Sequence, residues 1–149
     1  MLQPVLTLLF CNVSVAVGLH AELDELSVDD ARRTEDIIVS QWRDVSADEK
    51  HHMREHIDEI LRPLGLQTRL LVVERANSLA LFFLCMTLSA LMSLRDHWLS
   101  GQLRDIVQSL FTFLSDATPQ VRVKRLTWSQ PDYERCLEFF SSLQSKQTI

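Results

Sequence analysis

His52 and His56 lie four residues apart, a spacing that places both imidazoles on one face of a helix. Two imidazoles on one helix face can bind a metal ion together, with Asp48 or Glu59 completing its coordination shell. The zinc-protease pattern H-E-x-x-H requires Glu directly after the first histidine, whereas Met53 follows His52. We therefore predict a solvated helix face and no metal site.

The three cysteines are Cys11, Cys85 and Cys136, and they include no C-x-x-C pair. Such a sparse set is typical of reduced thiols and not of a disulfide framework or a zinc site. We predict that Cys85 and Cys136 are small buried side chains and not nucleophiles, because each lies among apolar residues. The sequence also contains no glycine-rich phosphate-binding loop. These observations predict a protein that is not an enzyme and that binds no cofactor.

The composition is that of one globular domain rich in helices. The chain has 149 residues, of which 46% are hydrophobic and 23% are charged. A chain of this length can bury a core that needs neither disulfides nor metal. It contains three glycines and four prolines, too few for a loop-rich β-sandwich.

Charge is unevenly distributed along the chain. Residues 22–59 contain thirteen acidic and five basic residues, whereas residues 60–149 contain seven acidic and ten basic residues. An acidic face and a basic face can dock against each other within one molecule. They can also dock between two copies of the chain, which would be self-association. An ordinary solvated acidic helical region is the simpler interpretation. We predict no nucleic-acid partner, because the basic residues are few and are not interleaved with exposed aromatic residues.

Capping and turn residues delimit the predicted elements. The stretch Ser46–Glu49 matches the S-x-x-E capping box that starts a helix, and Pro63 and Gly65 end that helix. Helices are predicted near 28–43, 47–62, 88–115 (with a bend at 100–101) and 131–145. Strands are predicted near 68–75, 79–86 and 121–128, with a fourth near 5–17. This order predicts an α+β fold, in which an antiparallel sheet of three or four strands packs against helices as in ferredoxin-like two-layer sandwiches.

A run of nineteen uncharged residues lies between Arg75 and Arg95 and has two interpretations. A membrane-spanning helix needs about twenty residues that are apolar on all faces. Here the continuous apolar run ends at Arg95, while a helical apolar stripe continues through Trp98. We predict a buried strand followed by an amphipathic helix, with the membrane span as the alternative, so membrane association is not expected.

The first nineteen residues also have two interpretations. They are apolar and end near a small-residue site at residues 16–18, as a secretory signal peptide does, but they lack its basic n-region. A β-branched buried strand would look similar. Residues 1–45 are therefore a segment of uncertain status, and residues 46–145 are predicted to form the main domain.

The strand near 121–128 offers a candidate partner-binding surface. Alternation places Val121 and Val123 inward and leaves Arg122 and Lys124 facing out, with Arg125 next to them. If this strand lies at the sheet edge, its charges would either keep the edge soluble or attract a partner. Trp42 is a second candidate, as an aromatic anchor for a protein partner.

The region 46–143 resembles the TRADD-like N-terminal domain family. The resemblance rests on the apolar run 78–94, on HWLSGQL at 97–103 and on LTWSQPDYERCLEFF at 126–140. The family implies an antiparallel sheet with helices packed on it and a non-catalytic adaptor role in cell-death or immune signalling. It therefore implies protein partners and a cytoplasmic location. A small secreted or membrane-associated protein, led by residues 1–19, is the alternative.

Overall fold

The computed structural model describes residues 14–24, 28–47, 51–115 and 121–147. The strands are β1 (Val15–Leu23), β2 (Thr68–Arg75), β3 (Leu79–Cys85) and β4 (Val123–Thr127). The helices are α1 (Val28–Ser46), α2 (His51–Leu61), α3 (Leu88–Ser100), α4 (Gln102–Ser115) and α5 (Gln130–Gln147), with a 3₁₀ turn at Arg62–Leu64. The predicted α+β class is confirmed.

The four strands form one antiparallel sheet in the order β2-β3-β1-β4. The chain crosses from β1 to β2 through α1 and α2, and from β3 to β4 through α3 and α4. Each crossover passes over the one strand that lies between its two ends in the sheet. This is the split β-α-β arrangement of ferredoxin-like folds. It makes β2 and β4 the two edge strands. The strand that carries the basic residues, β4, therefore lies at a sheet edge, which is the position in which its charges could attract a partner.

One face of the sheet packs against the helices and forms the core. Alternate residues of β1 and β3 point to this inner face and are almost fully buried, as the period of a strand requires. They are Val15, Val17, Leu19 and Ala21 from β1 and Leu79, Leu81, Phe83 and Cys85 from β3. The helices contribute the opposing layer, which includes Ile38, Leu91, Leu103 and Phe111. Cys136 of α5 is also buried, so the prediction of two buried thiols is confirmed.

The predicted helix 88–115 is two helices, α3 and α4, and not one bent helix. Gly101 separates them with a φ of 86°, and its N–H donates to the Trp98 carbonyl at 3.2 Å. This is a left-handed helix C-cap, a conformation that glycine adopts without steric cost. Thr87 caps the start of α3, where its hydroxyl oxygen accepts from the Ala90 N–H at 3.1 Å.

The apolar run between Arg75 and Arg95 is β3 followed by the first half of α3, as predicted. Leu79, Leu81 and Phe83 in β3 are each fully buried against the helices. Among the helices in the described ranges, none is long and apolar enough to cross a membrane.

The first strand lies further along the chain than predicted. The structure places β1 at Val15–Leu23, whereas the prediction was 5–17, of which residues 5–13 fall outside the described residues. β1 extends further because Leu19 and Ala21 continue the buried alternation through polar His20. Cleavage near Gly18 would remove buried Val15 and Val17 from this strand, which pairs with both β3 and β4.

Candidate interaction surfaces

The basic residues in and just before β4, which begins at Val123, are exposed, and a β-bulge places two of them side by side. Val121 and Val123 are buried, while Arg122 and Lys124 are exposed, as alternation predicts. The register then shifts: Glu22 pairs with Arg125 and Leu23 with Val123, which leaves Lys124 without a partner residue in β1. A bulge of this kind re-aims side chains at a sheet edge. Lys124 and Arg125 are therefore both exposed.

Side chains of α3 and α4 already bind backbone groups at the open edge of β4 and just before it. The Trp98 indole N–H donates to the Leu126 carbonyl at 2.8 Å. The Gln108 side chain accepts from the Val123 N–H at 3.0 Å, and the Thr112 hydroxyl donates to the Val121 carbonyl at 3.2 Å. A partner at this edge would therefore contact the charged side chains and not add a strand to the backbone.

A hollow of about 400 Å³ lies between β4 and the turn that joins α3 to α4. We name it the basic hollow, and its lining residues are Trp98, Leu99, Ser100, Gly101, Arg104, Lys124, Arg125 and Leu126. Leu99 at its rim is 66% exposed. Sequence reasoning missed Leu99 and Arg104, since nothing in their spacing connects them to residues twenty positions later. Arg122 is exposed but does not line the hollow.

Trp42 lies near the opposite edge of the sheet. It is half-buried against the core and lines a smaller hollow together with Arg69 and Leu71 of β2. Since β3 and β1 separate β2 from β4, Trp42 and the basic residues of β4 cannot form one compact site. They are two separate candidate surfaces.

The second face of the sheet, which we call the outer face, points away from the core. Residues that are paired between neighbouring strands form rows across this face. One row consists of Val72 of β2, Phe82 of β3 and Gly18 of β1. A neighbouring row contains Leu84 of β3 and Ala16 of β1. Ala16 and Val72 are exposed, and the others are half-buried. A sheet face exposed to water is normally polar, so the part of this apolar strip that is left exposed among the described residues is a candidate docking surface.

Two local features shape the outer face. A Cβ atom at Gly18 would lie 3.1 Å from the Phe82 ring, so glycine allows that ring to lie against β1. A second bulge, at Leu71 of β2, leaves both Leu71 and Val72 exposed, at 43% and 37%. The outer face therefore presents larger apolar groups than the alternation of β2 predicts.

No protein-family model, curated protein or solved structure matches this chain. The likeness to TRADD-like domains therefore stays a prediction from the residues that carry it.

Arg95 occupies a cage of three aromatic rings next to β4. Its guanidinium carbon lies 4.5 Å from the Trp98 ring centroid, 5.0 Å from that of Trp128 and 4.4 Å from that of Tyr133. The side chain is buried and also donates to the Gln130 side-chain oxygen. Cation–π contacts explain how a charge is tolerated here. The cage joins α3, the connection between β4 and α5, and α5 itself, so Arg95 has a structural role.

The two buried thiols are poorly suited to nucleophilic chemistry. Burial raises the pKa of Cys85 to about 12, even though the neighbouring Thr68 side chain acts in the opposite direction. Burial likewise raises the pKa of Cys136. Both groups are protonated at neutral pH, and the thiolate is the reactive form. Cys11 lies outside the described residues.

The histidine pair stands on an exposed face of α2. His52 is exposed, and His56 stacks on Phe113 of α4 with ring centroids 4.2 Å apart. In the part of the chain that the structure describes, no group of three His, Cys, Asp or Glu side chains could hold a metal ion. Asp48, one of the ligands considered, lies outside that part.

Proposed function

We propose that this chain is a non-catalytic protein-interaction module of the adaptor type, acting in the cytoplasm in cell-death or immune signalling. The observation that carries the interaction role is the apolar outer face, where Val72, Phe82 and Gly18 form one row across three strands. The resemblance to TRADD-like domains supports the signalling context. The raised pKa of both buried thiols is in keeping with a role other than catalysis.

A charge placed on the outer face tests this proposal. Val72→Glu should keep the fold, because Val72 is 37% exposed, but it should weaken partner association by at least about tenfold, since a carboxylate would be desolvated on binding. Partners captured by proximity labelling would be purified and their affinity measured by calorimetry for wild type and variant.

The matched control is Leu66→Glu, which introduces the same charge at a leucine that is 96% exposed and lies in the connection between α2 and β2. Its affinity should equal that of wild type. Equal losses in both variants, or no loss in Val72→Glu, would show that the outer face does not bind the partner.

The cellular location separates an adaptor from the secreted or membrane-associated alternative. Expression of the full chain with a C-terminal tag, followed by fractionation, should give unprocessed protein in the cytosolic fraction. Cleavage near Gly18, or pelleting with membranes that resists carbonate, would contradict the cytoplasmic proposal.

A further inference from the structure

Two of the three cations that line the basic hollow have no ion-pair partner in the described ranges. These two are Lys124 and Arg125 of β4. The third cation is Arg104, whose Nε atom lies 4.0 Å from Asp105 Oδ1 and whose side chain is 52% exposed. Arg104 comes from α4, whereas Lys124 and Arg125 come from β4, and the bulge presents the last two together. Three cations from two elements thus surround one hollow, which suits a ligand that carries more than one negative charge.

The hollow is not purely electrostatic. Leu99 is 66% exposed at its rim, and Trp98 and Leu126 contribute apolar atoms to its wall. Its volume of about 400 Å³ is within the size range of sites that bury side chains of a ligand. A ligand that fits both features combines carboxylates with a large apolar group, as an acidic peptide does.

The surroundings restrict the ligand to a short segment. Glu22 pairs with Arg125 across the strands, and Asp105 follows Arg104, so acidic groups border the cations. A long polyanion that continued beyond the hollow would meet these carboxylates and be repelled. The edge backbone of β4 is already bound by Trp98 and Gln108, so recognition would rely on side chains.

We propose that the basic hollow binds a short acidic segment of a partner protein, in which two or more carboxylates flank a large apolar residue that contacts Leu99. The inference rests on the proposed interaction role and specifies one class of partner for a surface distinct from the outer face. The carboxylates pair with Arg104, Lys124 and Arg125 at the rim, where they accelerate association and select the partner.

A phage-displayed library of random 12-residue peptides, selected on the full chain, tests the proposal. Enriched peptides should contain Asp or Glu next to Leu, Phe, Tyr or Trp. Synthetic copies should bind more weakly as salt is raised, because exposed charges are screened within about 8–10 Å at physiological ionic strength.

Two variants identify the surface used. Lys124→Glu with Arg125→Glu should weaken binding of the synthetic peptide by about tenfold or more at low salt, and Leu99→Ser by roughly fivefold. The control Arg33→Glu with Arg43→Glu makes the same charge change on exposed positions of α1 and should leave the affinity unchanged. Circular dichroism and thermal unfolding confirm that each variant is folded.

Three results would overturn the proposal: enrichment without acidic residues, no enrichment at all, or a peptide affinity that the hollow variants do not alter. Tighter binding of a single-stranded RNA of equal charge than of the peptide would also overturn it. The outcome is separate from that of the proposed function, because Val72→Glu tests the outer face. Loss of partner binding in Val72→Glu with no peptide binding at the hollow would retain the function and reject this site.

Discussion

Phe83→Ala is expected to destabilise the protein by about 3–5 kcal/mol, because it removes a large side chain from the centre of the core and leaves a cavity. Phe83 is fully buried on β3, between β2 and β1. Urea unfolding followed by circular dichroism would measure the loss, and the melting temperature should fall by about 2–4 °C for each kcal/mol. Leu81→Ala and Leu91→Ala, at two other fully buried positions, should cost about 2–5 kcal/mol each.

Phe139→Ala is the matched control for this series. It removes the same aromatic ring from α5 at a position that is 41% exposed. The expected cost is below about 1 kcal/mol, since exposed positions lose little burial on truncation. A cost equal to that of Phe83→Ala would mean that the packing of the sheet against the helices is not the main source of stability.

Arg95→Ala is expected to cost about 2–4 kcal/mol, since it removes a buried guanidinium from contact with three aromatic rings and empties the space between them. The hydrogen bond to Gln130 would also be lost, and with it a connection between α3 and the start of α5. Denaturant unfolding monitored by tryptophan fluorescence in a Trp42→Phe background, where Trp98 and Trp128 are the remaining tryptophans, would report the change within the cage itself.

Two further substitutions separate charge from volume at this position. Arg95→Met fills most of the space without a charge, and Arg95→Lys keeps the charge but lacks the planar group that stacks on aromatic rings. If cation–π contacts stabilise the cage, Met should still cost at least about 1 kcal/mol and Lys should not restore wild-type stability. A Met variant as stable as wild type would show that the guanidinium adds nothing beyond its packing, a result known for other buried charges.

The sequence alone predicted the fold class and most elements, because local patterns carry that information. Flanking turn residues located β2 at 68–75, and the change of apolar spacing located the start of α3 at Leu88, since both depend on neighbours within a few residues. The alternation around Arg122 predicted which valines would be buried. It could not show that α3 and α4 are separate helices, since the left-handed φ of Gly101 leaves the apolar stripe uninterrupted.

The tertiary structure alone decided the strand order, the two bulges and the candidate surfaces. The outer face exists because β3 lies between β2 and β1, and that pairing depends on contacts between residues more than fifty positions apart. Leu99 and Arg104 join Lys124 in the basic hollow only after the α3–α4 turn has packed beside β4. Arg95 is charged and follows an apolar run, so its sequence context predicts exposure. It is buried because Trp98 of the same helix, Trp128 in the connection after β4 and Tyr133 of α5 converge on it, and a local pattern holds no record of the last two contacts.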